Sequence, residues 1–464
     1  MVNRGEPFVE IRETLNDFKP SEIVKSLDNY IIGQERAKRL VAIALRNRLR
    51  RKFVSDELKD EIAPKNILMI GPTGVGKTEI ARRMAQILDA PFIKVEATKF
   101  TERGYVGRDV EYMIRSLVNY SVNIIKSRMK EMAKEGVYTE VIKVIQKYVF
   151  DELVQSGELN GDNMDQFDRT KIRNEIKRKI RGNDFDSLKI SVKLRKKSLP
   201  VFPMVEIFPG MDEGEGSFQS IFNDMGMGIE SEEVKRITVK EAKDTLTQQF
   251  IEDRIDKDKA IELGIKWAQE MGIVFIDEID KISDKTKGQG PDVSREGVQR
   301  DILPIVEGTS VSTKYGTVKT DHMLFIAAGA FHVSKPSDMI PELQGRFPIR
   351  VELSSLLKED LKRILIEPKN SLIKQYKALL STEGVNLNFD DRAYDKIVEI
   401  AYEINKSVED IGARRLQTVL EYLLEDISFE ASSIKDKNIF ITEDYVIKRL
   451  SSIIKSADLT KYIL

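Results

Sequence analysis

Cysteine is absent from this 464-residue chain. Its absence excludes disulfides and thiolate metal sites and fits a reducing compartment. Histidine is almost as scarce. His322 and His332 are the only two, too little material for a histidine metal centre or a Ser-His-Asp triad, and both are expected to be structural. No H-E-x-x-H string occurs, so nothing in the chain is equipped to cut peptides. Neither sign of charge dominates: 75 basic residues face 76 acidic ones, for a net charge of −1, which argues against a large positive field for nucleic acid. No apolar run is long enough to cross a bilayer, and the opening Met1-Val-Asn-Arg-Gly-Glu-Pro7 lacks the apolar centre of a signal peptide. The expectation is a soluble, cytoplasmic protein with neither nucleic acid nor membrane as partner. Its apolar content, 41%, is ample for cores in about three domains.

What is present is a split nucleotide site. Gly71-Pro-Thr-Gly74-Val75-Gly76-Lys77-Thr78 fits the G-x-x-x-x-G-K-[ST] phosphate loop at each fixed position. An apolar run precedes it and a helix-like stretch follows. Glycines let the backbone wrap phosphates with its N–H groups, Lys77 neutralises oxygen charge, and the Thr78 hydroxyl can reach a magnesium ion. The second half is Gly272-Ile-Val-Phe-Ile-Asp277-Glu278, a buried-strand pattern that ends in two carboxylates. Asp277 is the candidate for the Mg²⁺ shell and Glu278 for orienting the attacking water. ATP and Mg²⁺ are the implied cofactors.

Lys77 and Asp277 lie 200 positions apart (277 − 77), whereas a βαβ unit needs about 30. Something is inserted. Residues 1–120 and 251–352 read as one discontinuous α/β nucleotide-binding domain, 121–250 as a mainly helical insertion with little strand signal, and 353–464 as a mainly α domain. Within these, residues 21–52 read as helix capped by Ser21 and broken at 29–34, and strands are expected at 91–97 and 322–328. A helix is expected over 292–307, and a hairpin over 309–320 around Tyr315-Gly316. In the last domain helices are expected over 358–367, 391–405 and 412–431, with only 438–441 strand-like. The basic runs Lys171–Arg181 and Lys193–Lys197 read as solvated helix faces, and residues 204–230 as loop.

Four further strings carry chemistry. Ile31-Ile32-Gly33-Gln34 offers an aliphatic pair that could face a flat base. Pro341-Glu342-Leu-Gln-Gly-Arg346 sets one arginine on a Gly/Pro-bounded turn, able to reach a neighbour's γ-phosphate. Gly412-Ala413-Arg414-Arg415 opens a helix and lets Arg414 approach a phosphate from the last domain. Gly104-Tyr105-Val106-Gly107 has glycines at both ends and an aromatic grip between them; by itself it reads more readily as a surface turn with Tyr105 tucked against its helix. The ending, Asp458 to Leu464, closes on Lys461-Tyr462-Ile463-Leu464, three large apolar side chains beside a free carboxylate. It could fold back on its own domain or dock elsewhere.

In this order, these strings resemble a ring-forming AAA+ ATPase. Together with Gly290-Pro-Asp-Val-Ser-Arg-Glu-Gly297, they more narrowly resemble the HslU (ClpY) family, the ATPase partners of a proteasome-like peptidase, HslV. The resemblance runs from about residue 20 to the last residue and is weakest over 121–250. It implies a homohexamer that unfolds protein substrates and feeds them to an HslV-type peptidase ring. Carried over by position, Ile32 lies by adenine; Gly74, Val75, Gly76, Lys77, Thr78 and Glu79 hold the phosphates; Glu342 and Arg414 contact nucleotide; and Arg346 reaches the adjacent subunit. Gly104–Gly107 becomes a substrate-gripping pore loop, and Lys461–Leu464 a peptidase-docking tail. One departure is evident. The strand that commonly ends in a polar sensor here reads Ala327-Ala328-Gly329-Ala330. Two other functions are to be weighed: a AAA+ remodeller of nucleic acid, and a chaperone that works without a protease.

Overall fold

The computed structural model of the chain describes residues 19–51, 53–59, 61–62, 65–100, 109–159, 166–198, 229–283, 295–434 and 437–455. It has two compact units, one formed from the segments up to Asn123 and from Ile261 onward, the other from Ile124–Ala260. The first unit opens with α1 (Pro20–Asp28), α2 (Glu35–Arg51) and α3 (Asp56–Lys59). The break at 29–34 falls where expected, but the first helix starts on Pro20 with Lys19 as its N-cap, not on Ser21. Proline's fixed φ and missing N–H cost nothing in a first turn.

The nucleotide-binding part then runs β1 (Ile67–Ile70), α4 (Lys77–Ile87), β2 (Phe92–Glu96) and α5 (Tyr112–Gln155). The second unit contributes α6 (Gln166–Arg181), β3 (Lys189–Ser198), β4 (Ile229–Thr238) and α7 (Val239–Arg254), and α8 (Lys257–Met271) returns the chain to the first. There follow β5 (Ile273–Asp277), α9 (Arg295–Glu307), β6 (Ser310–Thr313), β7 (Gly316–Lys319), β8 (Leu324–Gly329), α10 (Pro341–Arg346) and β9 (Ile349–Glu352). Five of these strands form one parallel sheet in the order β2-β5-β8-β1-β9. β1, β5 and β8 read as almost unbroken apolar runs because helices cover both faces of such a sheet; Ile67, Met69, Phe275 and Phe325 are fully buried. Register aligns Glu96 with Asp277 and Ile70 with Gly329. The carboxyl ends of the strands therefore gather at one edge, where ligands of open α/β sheets bind.

Opposite that edge, one buried arginine ties three elements together. Arg48 Nη2 on α2 donates to Glu270 O (3.0 Å), Gly272 O (3.0 Å) and His322 O (3.1 Å). Burial, and secondarily Arg51, push its pKa down to about 9. A base whose pKa falls on folding makes the unfolded chain hold more protons from about pH 9 up to the ordinary arginine range, so its contribution to stability rises with pH there and is lowest below that window. Arg48→Met should destabilise the chain by about 1–3 kcal/mol at neutral pH, the cost of leaving buried carbonyls without a donor. In urea unfolding, the deficit relative to the parent should be larger at pH 10 than at pH 8; a smaller one would refute the account.

The second unit packs Val137, Val141, Ile145, Ile180, Val192, Val239 and Leu246 into a core of its own. It is mainly helical, yet the expectation of little strand signal was wrong: β3 and β4 form a ten-rung antiparallel ladder from Lys189–Thr238 to Ser198–Ile229. Buried Ile190 and Val192 alternate with exposed Lys189, Ser191 and Lys193. The basic run Lys193–Lys197 belongs to this strand and is not a helix face.

The last segment adds α11 (Lys358–Ile366), α12 (Leu372–Ser381), β10 (Asn386–Phe389), α13 (Asp391–Ser407), α14 (Arg414–Glu430), β11 (Asn438–Ile441) and α15 (Glu443–Lys455). Ile397, Leu416, Leu420 and Leu424 centre a separate apolar cluster. A second strand, β10, corrects the expectation of one: it pairs parallel with β11. Its asparagines disfavour a strand, but Leu387 and Phe389 alternate inward. Among the described residues no helix is long and apolar enough to cross a membrane.

Candidate active site

β1 hands the chain to the phosphate loop, and α4 begins at Lys77 with Gly76 as its N-cap. A helix N-terminus with bare N–H groups, facing a glycine-relaxed loop, is a site for phosphate. Lys77 Nζ donates to Gly71 O (2.5 Å) and Pro72 O (2.7 Å), within its own loop. Burial lowers the Lys77 pKa, opposed by Asp277 and Asp280 and reinforced by Arg414. Thr78 and Glu79 follow in the first turn. The Glu79 carboxylate accepts from Arg83 Nε (2.7 Å), and the Arg83 guanidinium lies 3.6 Å over the Tyr30 ring.

Asp277 ends β5, and Glu278 follows with φ +57°, a left-handed conformation rare for a non-glycine residue and frequent at functional sites. Two unforeseen residues hold this pair. Lys94 Nζ of β2 lies 2.7 Å from Asp277 Oδ2, and Thr98 Oγ1 donates to Glu278 Oε2 (3.3 Å). A lysine inside a strand bordering the carboxylate strand was the available signal for Lys94; Thr98, beyond the strand, had none. Asp280, also missed, accepts from the Phe331 backbone N–H (3.3 Å). Ala327 and Ala328 are fully buried and offer no polar side chain, so the contacts to the carboxylates come from neighbouring β2 and the turn after it.

Ile31 and Ile32, Gly74 to Glu79, and Lys94, Asp277, Glu278, Asp280 and Arg414 line one cleft of about 630 Å³, the two isoleucines as an apolar wall. His332, expected to be structural, lines it too. Gln34 secures the aliphatic segment: its amide accepts from Ser354 N (3.0 Å) and donates to Ser354 O (2.8 Å), just past β9. The two arginines of the late motif divide their work. Arg415 is fully buried and bonded to Asn405 Oδ1 (3.2 Å) and Glu409 O (3.0 Å), whereas Arg414 lines the cleft. Close backbone approach makes this possible. A Cβ on Gly74 would meet Ile411 O at 1.9 Å, one on Gly412 (φ +59°) would meet Thr73 O at 2.6 Å, and Ala413 N donates to Gly74 O (3.2 Å).

Arg346 and Glu342 do not line this cleft. Arg346 ends the six-residue helix α10 and is not on a turn, as Pro341 starts a helix that Gly345 does not break. Its side chain is exposed and ion-paired with Glu307 at 2.7 Å. Gly104–Gly107 and Lys461–Leu464 lie outside the described residues, as do the first residues of the helix expected from 292.

The oxygen donors Thr78 and Asp277 suit Mg²⁺, a hard cation that takes one or two protein ligands and completes its shell with phosphate and water. When bound, it neutralises charge between phosphates. With nucleotide in the cleft, Lys77 and the loop N–H groups would hold the phosphates, and Glu278 would align a water.

Two family models match: the ATPase family associated with various cellular activities (AAA) over residues 67–145 and the AAA domain (Cdc48 subfamily) over 209–350. Relatives extend over nearly the whole chain. The ATP-dependent protease ATPase subunit HslU of Persephonella marina is 50% identical over 98% of this chain and 100% of its own length. That of Caldicellulosiruptor saccharolyticus is 50% identical over 97% and 100%, and that of Listeria welshimeri 49% over 97% and 99%. With identity at this level from end to end, and the nucleotide motifs assembled in one cleft, the chain belongs to the HslU family of ATP-dependent protease ATPase subunits.

Proposed function

We propose that this protein hydrolyses ATP to unfold protein substrates and thread them into an HslV-type peptidase. The observation that supports the mechanism is that Ile32, Gly74 to Glu79, Asp277, Glu278 and Arg414 line one cleft while Arg346 and Glu342 lie outside it. Arg346, exposed and outside the cleft of its own subunit, is assigned in this reading to the cleft of a neighbour, within a homohexameric ring. Ile32 bears on adenine, Gly74 to Glu79 and Lys77 on the phosphates, Thr78 and Asp277 on Mg²⁺, Glu278 on the water, and Glu342 and Arg414 on the nucleotide. Tyr105 and Val106, between Gly104 and Gly107, grip the unfolded chain. The cytoplasm is the proposed compartment.

The test is ATPase activity and degradation of a folded substrate, with and without an HslV-type peptidase. Degradation should need both proteins and ATP. Deleting Lys461–Leu464 should leave ATPase activity and hexamer formation intact while abolishing stimulation of the peptidase, since six tails acting together can make weak single contacts effective. A truncated ring that stimulates fully would remove the tail from the docking site. ATPase activity raised by DNA, with no degradation, would overturn the whole reading.

A further inference from the structure

The helix that carries Arg346 is gripped at both ends by α9. At its start, the backbone N–H of Ile340, the N-cap of α10, donates to Gln299 Oε1 at 2.9 Å. At its end, Arg346 Nε and Nη2 lie 2.8 and 2.7 Å from Glu307 Oε1. Its backbone is anchored as well: Asn66 Nδ2 donates to Arg346 O (3.1 Å), while Asn66 Oδ1 accepts from Phe325 N in the sheet (3.0 Å). The other half of the Gln299 amide reaches the segment that follows the carboxylate turn. Its Nε2 donates to Ile282 O at 2.8 Å, immediately after the 3₁₀ turn Ile279–Lys281 that follows Asp277 and Glu278. Gln299 is 3% exposed. Its bond to Ile282 is buried and that from Ile340 partly so, and a buried bond left unmade is costly.

We propose that Gln299 and Glu307 are positioning residues for Arg346, and that Gln299 also links the finger helix to the carboxylate turn of the same subunit. This rests on the reading that Arg346 acts in the adjacent site. The two grips differ in strength. The buried amide fixes where α10 starts, and through Ile282 any shift of the Asp277-Glu278 turn reaches it. The Glu307 pair is exposed, of the kind worth about 0.2–1 kcal/mol. It holds the guanidinium extended yet yields it to a phosphate, the stronger partner. Hydrolysis at one subunit's carboxylates thereby bears on the arginine offered to the next.

The test is a double-mutant cycle on ATPase activity of full-length rings. Gln299→Met should lower kcat about 5- to 150-fold, the range that 1–3 kcal/mol of lost hydrogen bonding represents, with KM for ATP little changed and a shallower dependence of rate on ATP concentration. Glu307→Gln should lower kcat up to about fivefold, and Glu307→Asp should recover part of the loss. Combined with Arg346→Ala, neither should slow the ring further, because residues acting through one group are not additive. Losses that multiply, or full-rate single variants beside a slow Arg346→Ala, overturn the inference alone. Should Arg346→Ala itself run at the parental rate, it is the finger reading that fails. Glu307 is at the surface and its variants keep the test decisive if Gln299→Met impairs assembly.

Discussion

Arg346→Ala should bind ATP as the parent does and hydrolyse it about 10³ to 10⁵ times more slowly, the usual worth of an arginine supplied in trans. Binding is spared because the phosphate loop, Lys77 and the rest of the cleft lining are unchanged. Hydrolysis is lost because the alanine cannot reach a phosphate, and the nearest arginine in sequence, Arg350, lies past Phe347-Pro348 on β9. Mixing sharpens the measurement. Inactive Arg346→Ala and inactive Glu278→Gln subunits, co-assembled in one ring, should regain activity at interfaces that unite an intact finger with an intact carboxylate. A confirmed mixed ring as inactive as its parents would argue against a shared site.

Glu278→Gln should leave nucleotide affinity near the parental value and reduce turnover by about 10² to 10⁴, the range for removing a positioned general base. The amide keeps the shape and loses the charge that aligns water. Lys77→Ala should instead remove tight binding, since a half-buried cation is withdrawn from several phosphate charges; titration with a fluorescent ATP analogue separates the two. Equal loss of binding in both variants would undo the division of roles between loop and carboxylate.

Much of this was legible because the chemistry demands a local pattern. A phosphate loop has to be glycines and Lys-Thr in fixed order, and a strand buried on both faces has to be a run such as Ile273–Ile276. Residues whose roles come from distant register were harder. Lys94 acquires meaning only when β2 lies beside β5, 180 or so positions later, and Gln299 only when α9 lies between Ile282 and Ile340. The hairpin of the second unit was hidden by lysines alternating with Ile190 and Val192, and β10 by its asparagines. Arg346 was identified as a lone reaching arginine, but Glu307, an ordinary acid at a helix end, carried no signal of its own.

The pairing of β1 has a consequence for how the protein is made. Both neighbours of the phosphate-loop strand come from far downstream: Ile67 aligns with Ile326 on one side and Ile349 on the other. During synthesis at about 5–20 residues per second, both edges of that apolar strand wait roughly 15 to 55 s for partners. In the interval the intervening unit, whose core and strand pairing draw only on its own residues, has all of its partners synthesised. An unpaired strand is prone to aggregation, so the nascent chain is most vulnerable before residue 350 emerges. Codon changes that slow elongation between 260 and 350 should lower the soluble yield more than equal delays after 360.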